Sequence, residues 1–101
     1  MSNEKENFEC LLRENVNDLA NLLLSICENE KNKKVIEETL KDLPFYKIMW
    51  FIMLIEKDRI DYQLNDFIKL YGIIDNEENR KSIKNKLEWF INVKVILNEK
   101  K

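Results

Sequence analysis

Few side chains in this sequence have the chemistry of catalytic groups. The chain contains no histidine, which is the commonest general base and the commonest zinc ligand. Ser2, Ser25 and Ser82 therefore have no histidine to activate them, and no convincing lysine lies beside them. Glu37 and Glu38 are adjacent in sequence, so about 100° separates them around a helix and they cannot act as an acid–base pair. The sequence predicts a protein without enzymatic activity.

Metal and cofactor sites are equally hard to find. The acidic stretch 75–79 lacks the glycine and the ligand spacing of a calcium loop. Asp75 and Glu78 instead have the spacing of a helix capping pair, which accounts for both carboxylates. We therefore expect no bound metal and no cofactor.

The two cysteines indicate a reducing environment. Cys10 and Cys27 fall on one continuous predicted helix, where 17 residues correspond to about 25 Å. A disulfide requires Cα atoms within about 7 Å, so we expect two free thiols and a cytoplasmic location. The most hydrophobic run, 48–55, is much shorter than the about 20 residues that span a bilayer, so no membrane association is expected.

Length and composition favour a single helical domain. The chain has 101 residues, of which 45% are apolar and 36% charged, and this balance is typical of a globular protein. One glycine and one proline leave little turn chemistry for a sandwich, a barrel or a nucleotide-binding loop. We predict one all-α domain, residues 1–101, with an acidic helical N-terminal part (1–43) and a C-terminal part (44–101).

The helices of this domain can be placed from apolar spacing and capping residues. Asp61 is the expected cap of the fourth helix, and Gly72 is expected to end it in a left-handed conformation. Residues 93–97 either extend the fifth helix or form a short β segment, because Val95 and Ile96 favour strands. The five predicted helices cover approximately residues 3–28, 32–43, 44–57, 62–71 and 75–92.

Large apolar side chains divide into an expected core and an expected contact surface. Trp50, Phe51 and Phe90 lie within apolar helical stripes and are predicted to be core residues. Trp89 lies about 100° around its helix from Phe90 and is a candidate partner contact. The first helix carries an a/d stripe that either packs on the domain's own core or forms a dimer contact, namely Leu12, Val16, Leu19 and Leu23.

The small net charge of −2 conceals an asymmetry between the two ends. Residues 1–30 hold two cations and seven anions, whereas residues 79–101 hold seven cations and two anions. The acidic first helix can imitate phosphate or dock a basic partner, and the basic end can meet nucleic acid. On the first helix, the predicted partner-binding residues are Glu6, Glu9, Glu14 and Asp18.

In the C-terminal part of the chain, an apolar helix at 48–55 is followed by a helix ending in Gly72 and by a basic helix that closes in Lys94-Val95-Ile96. In this order of elements, residues 44–97 resemble a winged helix-turn-helix domain. The resemblance implies major-groove contacts from Arg80, Lys81, Lys84 and Asn85, with Lys94 as a further nucleic-acid contact. The alternative is that Ile83, Leu87 and Phe90 form only the core stripe of a bundle helix.

In size and charge the chain is also similar to small acidic helical proteins of phages and mobile elements, such as anti-CRISPR proteins. This similarity implies a non-enzymatic inhibitor that binds a larger nucleic-acid-handling protein and sterically blocks or adapts it. The alternative function is a DNA-binding transcriptional regulator of the winged-helix type, dimeric through the first helix.

Overall fold

Five α-helices form the part of the chain described by the computed structural model, which covers residues 3–99 and the side chains of residues 7–97. The prediction of an all-α domain of about five helices is confirmed. The helices are α1 (Asn3–Ile26), α2 (Glu30–Leu40), α3 (Phe45–Leu54), α4 (Ile60–Tyr71) and α5 (Glu77–Glu99), with a 3-10 turn (Lys57–Arg59) before α4.

Local capping explains where the helices begin. The N-cap of α2 is Asn29 and not Asn32, because the Asn29 Oδ1 atom accepts a hydrogen bond from the Lys31 backbone N–H at 2.9 Å. Asp61 lies in the first turn of α4 and does not cap it, since the preceding 3-10 turn moves the helix start to Ile60. The Asn76 Oδ1 atom accepts from the Asn79 N–H at 2.8 Å at the start of α5.

The alternative of a C-terminal β segment is wrong, because residues 93–97 continue α5 without a break. Val93 is buried in the helical core, so tertiary packing outweighs the strand preference of β-branched side chains. Among residues 3–99, the one β-type pairing is an isolated bridge between Cys27 and Ile73.

Gly72 ends α4 as predicted. It has φ 60° and ψ 41°, which is the left-handed conformation that glycine adopts without steric cost. The Ile73 N–H donates to the Ile68 carbonyl at 3.0 Å, and the Ile73 side chain is buried. This pattern is the Schellman motif, in which the residue after the glycine closes the helix end with an apolar contact.

Replacing Gly72 with alanine should destabilise the fold by about 1–2 kcal/mol, because an L-residue resists the left-handed conformation. A Cβ atom here would also collide with the side-chain amide of Asn32 on α2. Urea unfolding followed by circular dichroism should show the lower midpoint. Adding Asn32→Ala to Gly72→Ala should remove the collision and leave the backbone cost, whereas an unchanged midpoint in Gly72→Ala would contradict this account.

The apolar stripe of α1 lies in the chain's own core. Leu12, Val16, Leu19 and Leu23 are between 0% and 1% exposed and pack with the inner faces of the other helices. Of the two alternatives for this stripe, packing on the domain core is confirmed. A dimer contact through these four residues would require them to be exposed, whereas this domain already encloses them.

The orientation of α3 differs from the prediction. Ile48 and Ile52 are fully buried, but Trp50 is 67% exposed and is therefore not a core residue. The physical reason is that α3 packs mainly against α1 and α5, so that one side of this apolar helix is left uncovered. Phe51 is half-buried and Phe90 is buried, as expected for residues that pack in or against the core.

Both cysteines are free, as expected from the length of helix that separates Cys10 from Cys27, the residue directly after α1. Cys10 is exposed, whereas Cys27 is buried and its Sγ atom lies 3.5 Å from the Tyr71 carbonyl oxygen. In the part of the chain that the structure describes, no helix is long and apolar enough to cross a membrane.

Candidate functional site

The uncovered side of α3 faces a groove that α2 and α4 complete. Two adjoining hollows, of about 620 and 390 Å³, form this groove, and Trp50 and Phe51 line both. We call it the Trp50 groove. The first hollow is lined by Glu38, Thr39, Leu43, Tyr46, Lys47, Trp50 and Phe51, and the second by Thr39, Leu40, Trp50, Phe51, Leu54, Ile55, Gln63, Asp66, Phe67, Leu70 and Tyr71.

One edge of the groove is a row of apolar side chains on α3. Tyr46, Trp50 and Leu54 follow one another at steps of four residues, so they lie on one face of the helix. Their side chains are 70%, 67% and 49% exposed. We call these three residues the α3 ridge, which spans about 12 Å along the helix axis. Leu70 of α4 is also exposed, so apolar surface lies on both sides of the groove.

The floor of the groove is aromatic and well packed. The rings of Phe51 and Phe67 meet edge to face with centroids 6.1 Å apart, and Phe67 lies 5.8 Å from Tyr71. Burial raises the pKa of the Tyr71 phenol, although its hydrogen bond with the Thr39 hydroxyl, at 3.0 Å, acts in the opposite direction. Tyr71 is therefore neutral at physiological pH, and it ties α4 to α2 at the base of the groove.

The C-terminal end of α3 is held by side chains from two other helices. Gln63 of α4 donates to the Leu54 carbonyl at 2.6 Å and accepts from the Glu56 backbone N–H at 3.1 Å. Lys94 of α5 donates through Nζ to the carbonyl oxygens of Met53 and Ile55, at 3.0 and 3.2 Å. These bonds satisfy carbonyl groups that a helix end leaves without partners. They also fix the α3 ridge relative to the rest of the fold.

Three charged side chains line the groove. Glu38 lies on the α2 wall and Asp66 on the α4 wall, while Lys47 lies beside the α3 ridge. All three are exposed, and none of them is in an ion pair with another described residue. The groove thus combines an apolar floor with carboxylates on two walls and a cation on the third.

The residues predicted for an acidic contact surface lie apart from this groove. Glu14 and Asp18 are exposed on α1, and Glu9 is half-buried. The side chain of Glu6 lies outside the described residues. None of the α1 residues whose side chains the structure describes (7–26) lines either hollow, so Glu14 and Asp18 lie in a different region of the molecule from the Trp50 groove.

The residues predicted to contact nucleic acid are only partly available. Arg80 forms a 3.0 Å ion pair with Asp75 and a hydrogen bond to Asn65. Lys84 pairs with Asp61 at 3.2 Å, and Lys94 is the helix cap described above. The remaining two residues, Lys81 and Asn85, are exposed on α5.

Trp89 is less exposed than expected for a residue that contacts a partner. Its indole is half-buried and meets the ring of Phe90 edge to face, with centroids 5.2 Å apart. Part of the side chain therefore contributes to the packing of α5 against the core. The exposed tryptophan of this chain is Trp50, which the apolar pattern assigned to the interior.

The helix predictions do not place a groove beside α3, but the apolar content of α3 is a sequence signal for one. Nearly every position from Phe45 to Ile55 is apolar, which is more than a helix packed on two neighbours can bury. So many apolar residues predict either a helix at the centre of the fold or a helix with a second apolar face turned outward. Only the positions of α2 and α4 decide between these alternatives.

Among the described residues, no three histidine, cysteine, aspartate or glutamate side chains come together as a metal site would require. Comparison of the chain with known protein families, with curated proteins and with solved structures finds no match. The winged-helix resemblance and the similarity to phage inhibitors therefore stay predictions.

Proposed function

We propose that this protein acts by binding other polypeptide chains and carries out no reaction of its own. The observation that carries the proposal is the exposure of Trp50, whose side chain is 67% exposed between two adjoining hollows. A monomeric surface seldom leaves a continuous aromatic and aliphatic patch open to water unless the patch binds something. Tryptophan and tyrosine, both present on the α3 ridge, are also the residues that most often dominate protein interfaces.

The shape of the site favours a polypeptide over a small molecule. Small-molecule pockets enclose most of the ligand surface, with a few polar groups at defined points. Here the two hollows are open and the α3 ridge projects beside them, with three side chains about half exposed or more. A partner that covers the ridge as well as the hollows must present a broad surface of its own.

A narrower proposal concerns the larger partner. The exposed carboxylates of Glu14 and Asp18 on α1 offer a second surface, suited to a basic channel of a nucleic-acid-handling protein. Small size and this acidic surface support an inhibitor or adaptor of the kind that phages and mobile elements encode. In this proposal α1 contacts the larger protein, and the Trp50 groove holds a second polypeptide.

The DNA-binding alternative has weaker support. Arg80, Lys84 and Lys94 already donate hydrogen bonds to groups of the same chain, and a contact with nucleic acid would compete with these bonds. The α1 stripe, through which this alternative would dimerise, is also buried in the domain's own core. Lys81 and Asn85 are exposed and remain candidate contacts for nucleic acid. A test of function must therefore include the binding of nucleic acid as an outcome.

The experiment is a capture assay from cells of the source organism, with and without nuclease treatment, using matched variants as baits. The wild type should retain polypeptides that survive nuclease, and Trp50→Glu should retain at least about tenfold less, because it charges the centre of the apolar groove. Tyr62→Glu is the matched control, since Tyr62 is 72% exposed but lies outside both hollows.

The same assay distinguishes binding through α1 from binding through the Trp50 groove, and distinguishes both from the binding of nucleic acid. Reversing both Glu14 and Asp18 to lysine should release the larger partner if α1 contacts it. Capture of nucleic acid alone would support the DNA-binding alternative. Equal recovery of polypeptides by wild type and Trp50→Glu would show that the groove is not a binding site.

A further inference from the structure

We propose that the Trp50 groove is the interface of a two-fold symmetric homodimer, in which the α3 ridge of each copy lies in the groove of the other. This inference rests on the proposed function, because it names the polypeptide that occupies the groove. It also assigns different roles to the two surfaces: the groove joins two copies, and α1 meets the larger partner.

The shape of this face suits a two-fold interface. A two-fold interface uses the same patch on both copies, so that patch must contain both a projection and a matching depression. The α3 ridge projects, with Tyr46 70% and Trp50 67% exposed, and the two hollows lie directly beside it. Rotating a second copy by 180° about an axis through this face brings each ridge to the other copy's hollows.

The charges around the groove are complementary to those beside the α3 ridge. Lys47 lies beside the α3 ridge, whereas Glu38 and Asp66 lie on the walls formed by α2 and α4. A ridge that enters the facing groove therefore brings its ammonium group toward two carboxylates, and the symmetry repeats this contact. None of the three groups has an ion-pair partner among the described residues of its own chain. An occupant of the groove needs apolar side chains flanked by a cation, and α3 has this pattern.

The α3 ridge is also rigid. Gln63 and Lys94 bind the carbonyl groups at the end of α3, so the ridge is held in place before association. A preformed ridge loses less conformational freedom on binding than a mobile segment would. In the dimer the exposed carboxylates of Glu14 and Asp18 stay uncovered, because residues 7–26 of α1 contribute nothing to the groove lining.

The test is the mass of the purified protein in solution, measured by sedimentation velocity and light scattering over a series of concentrations. The wild type should reach twice the chain mass of 12.3 kDa. Trp50→Ala should weaken association about thirtyfold, as expected for the central side chain of an interface. Lys81→Glu and Glu37→Lys should leave it unchanged, since both residues are exposed outside the groove lining.

A charge exchange makes the test specific for the proposed pairing. Lys47→Glu alone places like charges at both symmetry-related contacts, and so does Glu38→Lys combined with Asp66→Lys. Each of these two variants should dimerise at least about tenfold more weakly than the wild type. Mixed in equal amounts, they should form a heterodimer, because every contact then joins opposite charges. Circular dichroism of each variant checks that the helices are intact.

A wild type that stays monomeric at its highest soluble concentration would overturn the homodimer. Dimers that are insensitive to Trp50→Ala, or charge variants that fail to combine, would overturn it as well. Trp50-dependent capture of a foreign protein by a monomeric wild type would leave the proposed function standing and assign the groove to that partner. The two proposals can thus fail separately.

Discussion

Replacing Phe90 with alanine should destabilise the fold by about 3–5 kcal/mol, a large share of the about 5–15 kcal/mol that stabilises a domain of this size. Phe90 is 1% exposed, and its ring meets Phe51 edge to face at 5.4 Å. Removing the ring leaves a cavity between α3 and α5, which pack against each other at this point. Urea unfolding monitored by circular dichroism should show a much lower midpoint or no folded baseline.

The matched control for Phe90→Ala is Trp50→Ala, measured at concentrations where the chain is monomeric. It removes a larger side chain but should change the unfolding free energy by no more than about 0.5 kcal/mol, because Trp50 is mostly in water. Equal losses from the two variants would mean that Trp50 is a core residue and that the groove does not exist in solution.

Replacing Lys94 with methionine should lower the free energy of unfolding by about 1.5 kcal/mol or more. The methionine keeps most of the apolar stem but loses the ammonium group that donates to the carbonyl oxygens of Met53 and Ile55. Hydrogen bonds from a charged group contribute about 1.5–3 kcal/mol each. The partial exposure of Lys94 places the expected value at the lower end of that range.

Denaturant unfolding again measures the effect of Lys94→Met, with Lys81→Met as the control on the same helix. Lys81 is exposed, so its replacement should have little effect on stability. Because Lys94 holds the end of the α3 ridge, Lys94→Met should also weaken homodimer formation, whereas Lys81→Met should not. If both variants unfold at the wild-type midpoint, Lys94 contributes no cap to α3.

The helical fold was predictable because its signals are local. Spacing of apolar residues within one helix, and a single glycine after α4, depend on neighbours within a few positions. The left-handed conformation of Gly72 and the burial of Leu12, Val16 and Leu19 follow from such signals. Small errors at helix starts, as at Asn29 and Asn32, arise because adjacent stretches contain several residues that can serve as caps.

The groove was not predictable by the same reasoning, since it depends on contacts between distant parts of the chain. Lys94 has the appearance of a solvent-exposed cation in sequence, yet its acceptors at Met53 and Ile55 lie 41 and 39 residues away. Lys84 likewise meets Asp61 across 23 residues. Trp50 was assigned to the core because apolar type alone does not reveal which side of α3 the other helices leave open.

The separation between the acidic surface and the groove has a consequence for how the protein can act. A homodimer joined through α3 presents two α1 surfaces, so one dimer can hold two partner sites at once. Linked binding events of this kind raise the overall affinity when both sites can be reached together. Loss of dimerisation would then weaken partner binding without any change in the contacts that α1 makes.

The contrasting surroundings of the two tryptophans also give the protein two internal optical reporters. Trp50 stands in water beside the groove, whereas Trp89 is half-buried against Phe90. Fluorescence from Trp50 therefore responds to a water-soluble quencher and to anything that covers the groove, while emission from Trp89 responds to loss of the core. In Trp89→Phe the remaining emission reports occupancy of the groove, and in Trp50→Phe it reports unfolding of the chain.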